Sequence, residues 1–139
     1  MILRRIKDVD MIDVGKPFGM PEGSMIIQWI VSNNVGDERY HHRFAVRKYT
    51  LKPVDDPSKI PFHNHTYIQC MHLLKGRLRA ENPEGAIEVG PGDSVYFYEN
   101  EQHKAVPVGS ETVELICIID CPDDGANCNP VVPTAIETK

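Results

Sequence analysis

The 139-residue chain has no run of basic residues, no long apolar run and only four cysteines, and each shortage removes a class of function. Lys and Arg number 15 against 20 Asp and Glu, which leaves a net charge of −5. The long-range field therefore repels nucleic acid and anionic lipid, and neither is expected as a partner. The longest apolar stretches, around residues 25–31 and 115–119, are strand-sized and fall well short of the roughly 20 residues that cross a bilayer as a helix. The first ten residues carry Arg4, Arg5, Lys7, Asp8 and Asp10 with no apolar stretch behind them. They lack the pattern of a secretory signal, so a cytoplasmic location is the expectation. Four cysteines in a chain of this length are too few for a disulfide scaffold, and in a reducing compartment they are thiols.

What the chain does have is turns. It carries 10 glycines and 11 prolines, spaced so that short β-branched and aromatic runs lie between them. Residues 2–14 read as a short strand at most, followed by a loop. Strands are expected over residues 25–31, 43–51, 62–75, 77–80, 86–89, 94–98, 104–106 and 113–120. Residues 52–61, with three prolines, read as loop. Helical periodicity is almost absent, so the fold class is all-β, a sandwich or barrel. With 41% hydrophobic and 25% charged residues the chain has the composition of an ordinary globular protein and the length of one domain. In the strand over residues 43–51, alternation sets Phe44, Val46 and Lys48 against Ala45, Arg47, Tyr49 and Leu51 without deciding which face is internal.

The chemistry is concentrated in Pro61-Phe62-His63-Asn64-His65-Thr66-Tyr67-Ile68-Gln69, followed by Gly76 and, much further on, His103. Alternate residues of a strand share a face, so His63 and His65 point the same way, and Gln69 joins them if the extension persists. His103 follows the tight turn Gly90-Pro91-Gly92-Asp93 and the aromatic run 94–98, which would bring it in from another strand. Imidazole is the commonest protein ligand for borderline divalent metals, and an amide oxygen is a weaker neutral donor.

These residues resemble the two motifs of the cupin family. His63, His65, Gln69 and Gly76 stand at the spacing of the first motif, with Gln69 where Glu is usual and the leading Gly missing. Gly92 and His103 fit the second, in which Tyr98, Asn100 and Pro107 replace the usual Pro, Gly and Asn. The resemblance covers about residues 43–120. It implies a double-stranded β-helix, or jelly roll, in a single cupin domain spanning residues 1–139, with an N-terminal strand arm to residue 42 and a tail from residue 121. It also implies a divalent transition metal held by His63, His65, Gln69 and His103, a small-molecule substrate, and a homodimer paired through the N-terminal strand. The apolar run 25–31 needs cover, which points to the same homodimer.

Three imidazoles and one amide would fill four of six octahedral positions and leave two open, the mark of a catalytic rather than a structural site. Gln69 either ligates the ion or hydrogen-bonds water on it. A carboxylate would cancel one unit of the metal's charge, whereas an amide leaves both, which favours an anionic chelating ligand such as an enolate, catecholate or carboxylate. Ligand type does not choose among Fe, Mn, Ni, Co, Cu and Zn. Arg47 or Lys48 would neutralise an anionic substrate, and Tyr49, Tyr67, Tyr96 and Tyr98 would donate hydrogen bonds, although strand aromatics more often pack. Arg47, Tyr49, Tyr67 and Tyr98 are thus the catalytic candidates. His72 and Cys70 fall on the opposite face by parity, and the adjacent pair His41-His42 cannot share one ion from a strand. Cys117, Cys121 and Cys128 read as separate thiols first, with a Cys121–Cys128 pair as the alternative.

Three functions fit this reading. The first is a metal-dependent dioxygenase or related oxidoreductase acting on a small oxygen-rich chelating substrate. The second is a metal-dependent isomerase, epimerase or lyase on a sugar or hydroxy acid. The third is a non-catalytic small-molecule-binding module.

Overall fold

The computed structural model describes residue 1, residues 3–32 and residues 44–120, in which the alternating sequence pattern forms nine β-strands. These are β1 (Ile12–Asp13), β2 (Met25–Val31), β3 (Phe44–Leu51), β4 (Gln69–Lys75), β5 (Leu78–Asn82), β6 (Gly85–Val89), β7 (Ser94–Phe97), β8 (Lys104–Pro107) and β9 (Val113–Asp120). Every pairing is antiparallel. One sheet runs β1-β2-β3-β9-β4-β7 and the other β6-β5-β8, which is the double-sheet jelly roll expected from the sequence. Among the described residues the only helical pieces are single 3-10 turns at Ile6–Asp8, Lys16–Phe18 and Pro57–Lys59. No helix there is long and apolar enough to cross a membrane.

Burial settles the face that alternation left open. In β3, Ala45, Arg47, Tyr49 and Leu51 point inward, and Lys48 faces out to pair with Glu114 at 3.0 Å. Cross-strand register then builds interior rows: Leu51 lies opposite Val113, Tyr49 and Leu73 flank Leu115, and Arg47 and Met71 flank Cys117. Leu51, Leu73, Leu78, Val113 and Leu115 are each 2% exposed or less. Burying one such side chain contributes about 1.5–3 kcal/mol. A slip of one residue would turn all of them outward, so this apolar end fixes the register of the strands that continue to the other end.

Gly76 closes the β4–β5 hairpin at φ +82°, where an added Cβ would lie 2.9 Å from Val113 Cγ2. Glycine is required there both by the left-handed backbone and by the close approach of β9. Asp93 N–H donates to Gly90 O at 3.0 Å, closing the turn read from Gly90-Pro91-Gly92-Asp93.

Two expectations are modified. The arm over residues 62–75 is not one strand: His63 makes an isolated antiparallel bridge with His103, residues 66–67 bend, and regular pairing starts at Gln69. The apolar face of β2 finds cover within the chain, since Met25, Ile27 and Trp29 are buried. His41, His42, Cys121 and Cys128 lie outside the described residues.

Candidate metal centre

His63 and His103 are brought together by their backbones. His63 N–H donates to His103 O at 3.0 Å and His103 N–H to His63 O at 2.9 Å, so residues forty apart in the chain are locked side by side. His65 is drawn in by a second tether, Asn100 N–H to His65 O at 2.7 Å. Asn100 takes φ +62°. A left-handed residue there explains why the related motif has Gly at this place, and Asn is the side chain that best tolerates that backbone. The substitution noted in the sequence is conformationally equivalent.

The His65 and His103 rings each have one nitrogen committed elsewhere. His65 Nδ1 lies 2.7 Å from Tyr67 O, and His103 Nδ1 lies 2.7 Å from Glu101 O. A carbonyl only accepts, so both Nδ1 atoms carry the proton and both Nε2 atoms present lone pairs. One potential ligand atom from each of His63, His65 and His103 lies within 4.8 Å of the others. Burial and, behind it, the neighbouring histidines hold His63 far below its ordinary 6.5, at about 3. Burial likewise lowers His103 to about 4 and lowers His65. At neutral pH all three rings are uncharged.

Gln69 completes the convergence. Its Nε2 donates to Cys117 Sγ at 2.9 Å, which turns Oε1 toward the rings, 2.9 Å from His65 Nε2 and 3.2 Å from His103 Nε2. Two ring lone pairs and an amide oxygen thus meet with no proton between them, an arrangement that a cation satisfies and an empty hydrogen-bond network does not. This donor set fits a divalent transition metal, and the three-histidine group can bind one.

The other sequence candidates divide. Arg47, Tyr49 and Tyr67 gather beside the histidines: the Arg47 guanidinium donates to Cys117 Sγ at 3.0 Å and lies 5.0 Å from the Tyr49 ring centre, and the Tyr67 ring stacks on His65 at 4.0 Å. Tyr98 does not join them. It is 67% exposed and packs edge-on to Tyr96. His72 faces away, as parity required, and bonds Ser94 Oγ at 2.8 Å. Cys70 and Cys117 are free thiols, and Cys117 is wholly buried.

Sequence reasoning missed Cys117 as a neighbour of Gln69, and it missed Glu101 and Lys104. Glu101 accepts from Tyr98 N–H at 2.9 Å and from Asn82 Nδ2 at 3.0 Å, which holds the loop that supplies a carbonyl to His103. The Asn82 bond, with that from Tyr98, keeps its carboxyl below the usual range. Lys104 Nζ donates to Ile60 O at 3.0 Å and pairs with Glu81 at 3.3 Å, tying the approach to His63 onto β8. The signal for Cys117 was its inward parity on a strand opposite Arg47; for the other two, only their adjacency to His103.

A family model for the cupin domain matches residues 54–119, the span from the loop before His63 to the end of β9. Residues 54–119 are a cupin domain. No curated protein sequence matches it, but solved structures share the fold. A polyketide cyclase, RemF, of Streptomyces resistomycificus is 19% identical with a TM-score of 0.67, over 87% of this chain and 80% of that one. A predicted oxalate decarboxylase of Thermotoga maritima is 16% identical with a TM-score of 0.68, over 86% and 98%. HppE in its Fe(II) form is 14% identical with a TM-score of 0.66, over 86% of this cupin and 60% of that chain.

Proposed function

We propose that this cupin is a single-domain metal-dependent enzyme in which His63, His65, His103 and the Gln69 amide oxygen hold a divalent transition metal, and that it acts on a small oxygen-rich chelating substrate. The observation that carries this reading is the convergence of ring and amide lone pairs without an intervening proton. A bound ion supplies Lewis acidity and, where redox-active, electron transfer to dioxygen. The protein's part is to orient the donors. The Tyr67 and Glu101 carbonyls fix the tautomers of His65 and His103, and outer partners of this kind sharpen both geometry and basicity. Because all four donors are neutral, they leave the ion's charge uncancelled, so they select a substrate that binds as an enolate, a catecholate or a carboxylate.

Dioxygenase chemistry is the leading form of this proposal. Oxygen-electrode measurements on Fe- and Mn-loaded protein with a panel of β-diketones and catechols are expected to give uptake with at least one pair, and no uptake with any metal overturns it. Lewis-acid isomerisation or lyase chemistry is the second form, supported by the same neutral donor set and by a fold shared with a cyclase and a predicted decarboxylase. It requires that Zn or Co serve as well as Fe and that dioxygen be unnecessary. Tight ligand binding without turnover under any of these conditions would assign the site to binding alone.

A cytoplasmic location is supported by Cys70 and Cys117, which are free thiols. Homodimerisation is supported by the edge of β2, which pairs with the two-residue β1 only at Ile26 and Ile27. Light scattering at twice the chain mass is the expected result, and a monomer mass refutes it.

A further inference from the structure

Arg47 is 5% exposed and points into the barrel. Among the described residues no carboxylate lies within ion-pairing distance of it; it donates to Cys117 Sγ at 3.0 Å and to the Tyr67 hydroxyl, and its buried Nε–H has no partner. Its guanidinium lies 5.2 Å from the Trp29 ring centre and 5.0 Å from that of Tyr49. Aromatic faces offset only part of the several kcal/mol that burying an unpaired ion costs. The Tyr49 ring and the Tyr67 phenol adjoin it. The acceptors in this cluster are the Cys117 sulfur and the Gln69 amide oxygen, and no carboxylate among the described residues supplies a counter-charge. A divalent cation next door would deepen the imbalance, because the sulfur that accepts from Arg47 also accepts from Gln69 at 2.9 Å.

We propose that Arg47, with Tyr49, Tyr67 and Gln69 beside it, forms a carboxylate subsite, and that the substrate of this cupin is a small organic acid whose carboxylate on Arg47 is separate from the oxygen pair it offers the metal. The metal-chelating half of this statement rests on the function proposed above; the carboxylate half rests on the buried guanidinium that no carboxylate among the described residues neutralises. It narrows the substrate class away from neutral diketones and simple catechols. A planar guanidinium with an unpartnered Nε–H matches a carboxylate in a way an ammonium does not.

Malate and lactate share a hydroxy-acid chelating pair and differ in one distal carboxylate, which makes them the probe. Calorimetric titration of Co(II)-loaded protein is expected to show malate binding at least tenfold more tightly than lactate. In Arg47→Met that preference disappears while the visible Co(II) spectrum of the ligand-free protein is unchanged, and in Arg47→Lys part of it survives. A wild type without preference for malate, or an Arg47→Met variant that keeps it, overturns the proposal. If Arg47→Met does not fold, the wild-type ratio and its reduction in Tyr67→Phe decide the matter. Should the wild type bind no Co(II), the metal reading fails, and succinate titration of the metal-free protein then tests the subsite by itself: binding lost in Arg47→Met supports it, and no binding refutes it.

Discussion

The two ends of the barrel interior are built from the same strands and have opposite chemistry. At one end β4, β9 and β3 contribute Leu73, Leu115 and Leu51, all 2% exposed or less. Four residues from Leu73 along β4, and two from Leu115 along β9, the same inward faces carry Gln69 and Cys117, and β3 adds Arg47. Polar groups at that end are buried without full satisfaction, an arrangement that costs free energy by itself. The apolar end supplies the stability and the register that make it tolerable, since strands cannot slip without exposing the leucines. The lesson is a division of labour along each strand. Stability resides where side chains match the interior, and binding chemistry resides where they do not.

The largest expected effect separates the two ends by metal content. His103→Ala removes a fully buried ring with no other histidine beside His63 and His65 among the described residues to take its place. Metal affinity is expected to fall by more than the 10–100-fold typical of losing an outer partner, measured by competition with a chelator. Leu115→Ala, at the apolar end, is expected to lower unfolding free energy by about 2–5 kcal/mol. Urea unfolding of the metal-free protein reads that loss, and the metal stoichiometry of the folded fraction stays at the wild-type value.

A smaller effect follows from charge. Gln69→Glu adds a carboxylate where an amide oxygen faces the rings, so it is expected to tighten metal binding and weaken an anionic ligand. Weaker metal binding in that variant would mean that the amide turns its NH2 toward the rings and serves them as a donor.

The pH response of the metal-free protein comes next. The folded values of about 3 for His63 and about 4 for His103 lie below the ordinary 6.5, so the unfolded chain binds more protons between those limits. Their contribution to stability is full above 6.5, declines as pH falls toward about 4, and is gone below the folded values. Thermal melts across that range are expected to show this fall, and in His63→Ala a shallower one. The smallest effect is expected on the outer face, where Ile118, 42% exposed, can become Ser with a change within about 0.5 kcal/mol.

Much of this was legible in the sequence because strands and turns are local. The alternation of residues 113–120 and the Gly90-Pro91-Gly92-Asp93 turn were readable as they stand in the fold, to within a residue or two at strand ends. The grouping of His63, His65 and His103 was legible through the motif resemblance. Strand parity reached it by an incomplete route, because the chain bends between His65 and Gln69 and the backbone bridge to His103 does the aligning. Which face of β3 is internal was not legible, since a basic residue stands on each face and only the three-dimensional site gives a buried arginine a purpose. Cys117 was equally hidden: its place beside Gln69 is set by the β4–β9 register across 48 residues of chain.

The most direct test of the central claim is elemental analysis of protein purified without an affinity tag, run beside His63→Ala. One divalent transition metal per chain in the wild type, and a loss of at least nine-tenths of it in a folded variant, is the predicted result. A folded wild type that retains no such metal under any loading condition, or a variant that keeps the full amount, would contradict it.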